Sequence, residues 1–194
     1  LSGVISAERN RAMLKPPESL DAWEAYHQGL WHMYRFTSRD NARAHYLFDK
    51  STQLDPTFAR SWAGLSFTHF QNAFLFSKDE RPREVGLAYE MAGRSLMADA
   101  LDPAAHWALG RALWLRGEDA GGLSALDEAV SLSPNYATAH YSLAFLHSQK
   151  GDPDKAVAAS DVARALSPYD PMLFAFTTAK VFSMLRLGRF DEAA

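Results

Sequence analysis

Seven histidines, His27, His32, His45, His69, His106, His140 and His147, are the first residues to weigh for chemistry. None stands in His-Glu-x-x-His or another compact metal-binding spacing. His140 and His147 fall two turns apart on one predicted helix, and a zinc site would need further ligands. The adjacent acids Asp79-Glu80, Glu118-Asp119, Asp127-Glu128 and Asp191-Glu192 mostly fall at predicted helix starts, where they favour the positive end of the helix dipole. An acid–base pair would need a cleft and a shifted pKa, which nothing in the sequence signals. Gly121-Gly122 is not followed by the lysine and hydroxyl of a phosphate loop, so it is expected to serve close packing. The serines lack the flanking glycines of a nucleophile elbow. Cysteine is absent, which removes disulfides, thiolate catalysis and cysteine-ligated metals. Neither catalysis nor a cofactor or metal is expected.

Binding chemistry is better represented. Trp107, Arg111 and Trp114 recur at i, i+4 and i+7 and so share one helix face. An arginine between two tryptophans suits a peptide carboxylate or a flat polar group, and these residue types are enriched in binding hot spots. The alternative is packing: aromatics at helical spacing also fill cores, with the arginine stacked on them as a cation–π filler.

Bulk properties bound the class. The chain has 194 residues, 47% hydrophobic and 22% charged, with a net charge of −3. This composition is that of a soluble globular protein. No clustered basic face marks direct nucleic-acid binding. The longest uncharged run, Ser61 to Ser77, carries His69, Gln71 and Asn72 and is too polar to insert in a membrane.

The elements that would position these residues form a repeat. Leu54-Asp55-Pro56, Leu101-Asp102-Pro103, Leu132-Ser133-Pro134 and Leu166-Ser167-Pro168 punctuate the chain, and the last two prolines are 34 residues apart. The other intervals, 47 and 31, imply an insertion and a deletion. The periodicity predicts helices over 3–14, 20–35, 40–54, 57–75, 82–100, 103–116, 119–131, 135–150, 153–166 and 170–187, with a last one beginning near Phe190. No valine–isoleucine–threonine run alternates with period two, so no strand is predicted. Small residues are expected where helices approach closely: Gly29, Ser66, Gly110 and Ala144 on first helices, and Ala44 and Ala156 on second helices. Ala98, Ala129 and Ala163 are expected where hairpins stack.

The 34-residue interval, the stretch His106-Trp107-Ala108-Leu109-Gly110-Arg111-Ala112-Leu113-Trp114-Leu115-Arg116-Gly117 and the small-residue positions resemble the tetratricopeptide repeat family. The resemblance covers nearly the whole chain after Leu20. It implies an all-α fold: a right-handed superhelix of stacked antiparallel hairpins, about four plus a truncated fifth over 20–194, after an N-terminal helix and linker over 1–19. In this family first-helix positions line a concave groove. They map to Trp23, Tyr26, Leu30, Met33 and Tyr34 in the first unit, and to Arg60, Ala63, Phe67, Phe70 and Gln71 in the second. The third unit contributes Ala104, Trp107, Arg111, Trp114 and Leu115, and the fourth Thr138, Tyr141, Phe145, Ser148 and Gln149. The groove residues singled out are Arg60, Phe67, Gln71, Trp107, Arg111, Trp114, Tyr141, Phe145 and Gln149. The first unit's apolar patch is expected to be covered by Val4 to Leu14 or by a self-partner. The longer turn at Arg35–Asp40 and the insertion around Phe74–Pro82 are either loops on a binding face or, for the insertion, a lengthened first helix.

A narrower resemblance rests on the run from Glu8 to Tyr26, on His27-Gln28-Gly29-Leu30-Trp31, and on Arg35-Phe36-Thr37 leading to Ala42 and Phe48. These are similar to the helical-repeat tail that follows a class III adenylate/guanylate cyclase domain or a winged-helix domain in bacterial signalling proteins. That implies a fragment of a longer protein, its regulatory or scaffolding C-terminal part, or the non-catalytic portion of a cyclase. A small-ligand sensor built on the Trp107–Arg111–Trp114 face is the third reading. The partner expected is a protein or peptide in the concave groove, with no direct nucleic-acid contact and no membrane insertion. The exposed repeat ends are expected to pair as a homodimer. A cytoplasmic location is expected, or a periplasmic one if a membrane span precedes the repeats.

Overall fold

The computed structural model describes residues 20–76 and 79–193. Among them every regular element is a helix. The chain divides into two compact units, one ending at Ala108 and the other beginning at Leu109, and each is described by itself. The predicted helix 3–14 and the linker to residue 19 lie outside the described residues.

In the first unit, α1 (Ala22–Met33) pairs with α2 (Ser38–Leu54), and α3 (Ala59–Gln71) pairs with α4 (Arg81–Ala98). Helix α3 also packs on α1 and α2, so the two hairpins stack. The starts of α1 and α2 have local causes. Asp21 and Glu24 form a reciprocal capping box at α1, with bonds of 2.8 and 3.1 Å. Thr37 Oγ1 accepts the amide of Asp40 at 3.0 Å, which starts α2 at Ser38, two residues before the predicted 40. The insertion after α3 lengthens the first helix, as the packing alternative had it: α3 runs into a π-helical turn, Asn72–Phe76. Helix α5 (Pro103–Leu115) begins in this unit and crosses the division.

In the second unit, α5 meets α6 (Asp119–Leu132), α7 (Ala137–Gln149) pairs with α8 (Pro153–Leu166), and α9 (Leu173–Arg186) packs on α7 and α8 before the short α10 (Phe190–Ala193). Gly117 closes α5 with φ +81°, its amide bonding Trp114 O while the Glu118 amide reaches Leu113 O. Gly188 closes α9 in the same way, at φ +71°. Both are glycine C-caps that satisfy the last carbonyls in a left-handed conformation. Pro153 sits in the first turn of α8, after Asp152, whose side chain accepts the amides of Asp154 and Lys155.

The small residues lie where helices touch. A Cβ on Gly110 would stand 2.6 Å from Leu126 Cγ and 2.9 Å from Gly122 O, so α5 and α6 meet backbone to backbone. Ala44, Ala129, Ala144, Ala156 and Ala163 are fully buried. Ala98 is the exception. It is half-buried, whereas Ser95 and Ala92, about one and two turns earlier, are among the buried residues of α4.

Candidate functional site

Helix α3 carries Arg60, Phe67 and Gln71. Arg60 is exposed, but its Nε donates to Asp102 Oδ2 at 2.7 Å. Phe67 is buried, stacked on Phe70 with ring centroids 5.3 Å apart and planes within 4°. Gln71 is buried, and its Nε2 donates to Met33 O at 3.0 Å. Trp107 is buried against Phe67, centroids 4.9 Å apart. The first unit thus brings Phe67 and Trp107 together and turns Gln71 onto the end of α1.

The second unit gathers a different cluster. Arg111 is 4% exposed, with its guanidinium 4.8 Å from the Phe145 centroid and 5.8 Å from that of Tyr141. Burial pushes its pKa down, and the neighbouring Tyr141 pushes it up. Trp114 meets Phe145 edge to face at 4.9 Å. Tyr141 is buried, Trp114 and Phe145 are half-buried, and Gln149 is exposed. Arg111, Trp114, Tyr141 and Phe145 are therefore one contiguous cation–aromatic cluster, with Gln149 one turn beyond Phe145.

Of the first-hairpin patch, Trp23, Tyr26, Leu30 and Tyr34 are half-buried. Met33 is buried, and Tyr26 packs on Phe48 and Phe58 with centroids at 5.8 and 5.1 Å. Burial pushes the Tyr26 hydroxyl up to about 12. The segment expected to cover this patch, Val4 to Leu14, lies outside the described residues. No group of three or more metal-binding side chains gathers among the described residues. His140 Nε2 lies 2.9 Å from Pro134 O.

Two features went unread in the sequence. One is a set of buried serines that bond backbone carbonyls of facing helices. Ser51 reaches Ala22 O at 2.6 Å, Ser66 reaches Ala88 O at 2.7 Å, Ser95 reaches Ala59 O at 2.8 Å and Ser160 reaches Phe176 O at 2.6 Å. A hydroxyl is small enough to sit at a close helix crossing and still donate. The other is a buried polar network in the first unit. His69 Nδ1 lies 2.7 Å from Glu84 Oε2, to which Asn72 Nδ2 donates at 3.0 Å. Asn41 Nδ2 donates to Asn72 Oδ1 at 2.7 Å and to Thr68 O at 3.0 Å. Thr68 gives its hydroxyl hydrogen to Leu65 O, so His45 Nδ1, at 3.1 Å, must donate to Thr68 Oγ1. The network ties α2, α3, the π-helical turn and α4 together, and the turn places Asn72 within it.

Residues 103–128 match the family model described as a tetratricopeptide repeat. Among solved structures, the chain is similar to a thermophilic TPR protein of Thermus thermophilus, at 20% identity and a TM-score of 0.68, covering 89% of this chain and 86% of that one. It is also similar to PilF of Pseudomonas aeruginosa, at 17% identity and a TM-score of 0.59, covering 96% of this chain and 73% of that one. A third likeness is to MamA, at 22% identity and a TM-score of 0.54, covering 80% and 83%. No curated protein sequence matches. At these identities the likeness establishes the fold, an all-helical stack of hairpins. No helix among the described residues is long and apolar enough to cross a membrane.

Proposed function

We propose that this chain is a tetratricopeptide-type array that grips a protein or peptide segment, serving as the regulatory C-terminal part of a larger bacterial signalling protein. The observation that carries the interaction reading is the cluster on α5 and α7. Trp114 and Phe145 keep part of their rings open over a buried arginine, and Gln149 extends the same wall. Half-open aromatics on a rigid helix bind at little conformational cost. In the first unit the matching wall is Arg60, Phe67, Gln71 and Trp107, of which Arg60 is the accessible member. The repeat match over 103–128 supports this reading. The attached domain would be a nucleotide cyclase or a winged-helix domain, and the compartment the cytoplasm.

The test is a thermal-shift and titration panel of peptides against the wild type and Trp114→Ala. A peptide at 100 times its dissociation constant stabilises by about 2.7 kcal/mol. If no peptide shifts the wild type, or every shift survives in Trp114→Ala, the reading fails.

A second reading, a sensor for small acids, is favoured by one observation: Arg111 is an almost fully buried cation walled by Phe145 and Tyr141. Small carboxylic acids should then stabilise the wild type and not Arg111→Ala. Stabilisation of both alike would remove it. The coding sequence upstream decides between a cyclase and a winged-helix parent.

A further inference from the structure

The surfaces above lie on the first helices of hairpins. Helix α2 is a second helix, and its outer face carries different chemistry. Arg39, Arg43, Tyr46 and Lys50 recur at spacings of four, three and four, so they share one face over about 16 Å of helix. Arg39 and Tyr46 are exposed, and Arg43 and Lys50 are half-buried. The Arg43 guanidinium lies 5.0 Å from the Tyr46 centroid. In the turn that leads into α2, the Arg35 guanidinium stacks 3.6 Å over the exposed ring of Trp31. Two guanidiniums of one hairpin are thus held on aromatic shelves.

Two carboxylates of α2 have donors of their own. Asp40 accepts from His32 Nδ1 at 2.8 Å and from Thr37 Oγ1 at 2.7 Å. Asp49 accepts from Gln53 Nε2 at 2.7 Å. Hydrogen bonding by His32 and Thr37, with the His32 and Arg35 charges beside it, holds the Asp40 carboxyl below its usual range.

We infer that the outer face of α2 docks an acidic protein segment whose carboxylates, about one helical turn apart, are received by Arg39 and Arg43. The stacked Arg43 guanidinium is already oriented, so bidentate pairing with a carboxylate costs it little further order. A nucleic acid or an anionic membrane is the weaker fit. Either would call for a broader basic surface than this short stripe, whereas discrete carboxylates can pair with its guanidiniums one by one.

The experiment is fluorescence anisotropy of the full chain at low salt. The probe is a labelled helical peptide bearing a glutamate on each turn of one face, with its glutamine counterpart as control. The glutamate peptide should bind at least about tenfold more tightly than the control, and added salt should weaken it. Arg39→Glu with Arg43→Glu should reduce the affinity at least about tenfold, and the milder Arg39→Gln with Arg43→Gln should reduce it less. Arg39 is exposed and Arg43 half-buried beside Tyr46, so the urea midpoint should move only slightly, and less in the glutamine pair than in the glutamate pair. Trp114→Ala should leave this binding intact, which separates it from the groove reading. Equal binding of the two peptides, no binding at all, or unchanged affinity in the charge-reversed pair would overturn the inference. So would tighter binding of oligo-deoxythymidine or of phosphatidylserine vesicles than of the glutamate peptide.

Discussion

The ring of Phe48 fills the space where a side chain on Gly29 would go: a Cβ built there would stand 2.6 Å from Phe48 Cε1. Gly64 faces the same ring, its Cβ position 2.8 Å from Phe48 Cδ1. One fully buried phenylalanine on α2 is therefore clasped by glycines on α1 and α3, and it joins two hairpins.

Gly29→Ala and Gly64→Ala should each destabilise the protein by about 1–3 kcal/mol through overpacking. Chemical denaturation should show this as a lower midpoint at constant slope. Adding Phe48→Leu to either variant should recover part of the loss, because the flat ring is what the new methyl meets.

Ser51 serves two partners, Ala22 O at 2.6 Å and Ser61 Oγ at 2.6 Å, whereas Ser95 serves Ala59 O alone. Ser95→Ala should cost about 1 kcal/mol. Ser51→Ala should cost more, since it also removes the partner of the buried Ser61 hydroxyl. Equal midpoints for the wild type and both variants in urea would refute the serine ties.

Arg186, in the last turn of α9, donates to His147 O at 2.8 Å, Ser148 O at 3.0 Å and Gly151 O at 2.9 Å. These are carbonyls at the end of α7, which has no glycine cap of the kind that closes α5. Arg186→Ala should cost about 1.5–3 kcal/mol, the range for hydrogen bonds to a charged group. Arg186→Lys should restore only part, because an ammonium lacks the planar fork. Amide exchange at the end of α7 should quicken in both variants, most in the alanine.

Stability should fall on the acid side in two stages. Burial, with His69 beside it, pushes the His45 pKa below its ordinary 6.5. The unfolded chain therefore takes up that proton first, and the contribution is present above pH 6.5 and lost as pH falls through the lower folded value. Burial acts to raise the Glu84 pKa, but hydrogen bonds from His69 and Asn72 together outweigh it and hold the carboxyl below its ordinary 4.5. That contribution is complete above pH 4.5 and is lost as pH falls through the folded value. Urea midpoints measured against pH should show both stages. His45→Gln should flatten the first, and Glu84→Gln should flatten the second while lowering stability at neutral pH.

Local signals were legible because their causes are local. The 3.6-residue rhythm, Gly117 and Pro153 act within a turn or two, and the predicted helices from 20 onward match the observed ones to within about three residues, most of them closer. Gly29 and Gly110 were recognisable as close-approach positions, whereas Gly64 was not, since what makes it indispensable is a ring on a different hairpin.

The candidate site was legible in membership and not in depth. Spacing put Trp107, Arg111 and Trp114 on one face, but a face has no inside or outside until another helix lies on it. Phe67 covers Trp107, and Tyr141 and Phe145 cover Arg111, so both are buried, while Trp114 stays partly open.

The amino-acid sequence by itself determined the kind of architecture: helices of these lengths, broken at these points, with narrow residues where neighbours must come near. Tertiary structure alone decided the partners: Arg186 for the end of α7, Glu84 for His69, Ser95 for the carbonyl of Ala59. The physical reason is distance along the chain. A helix is held by bonds about four residues apart, whereas these pairs are separated by 39, 15 and 36 residues and meet only once the hairpins have packed.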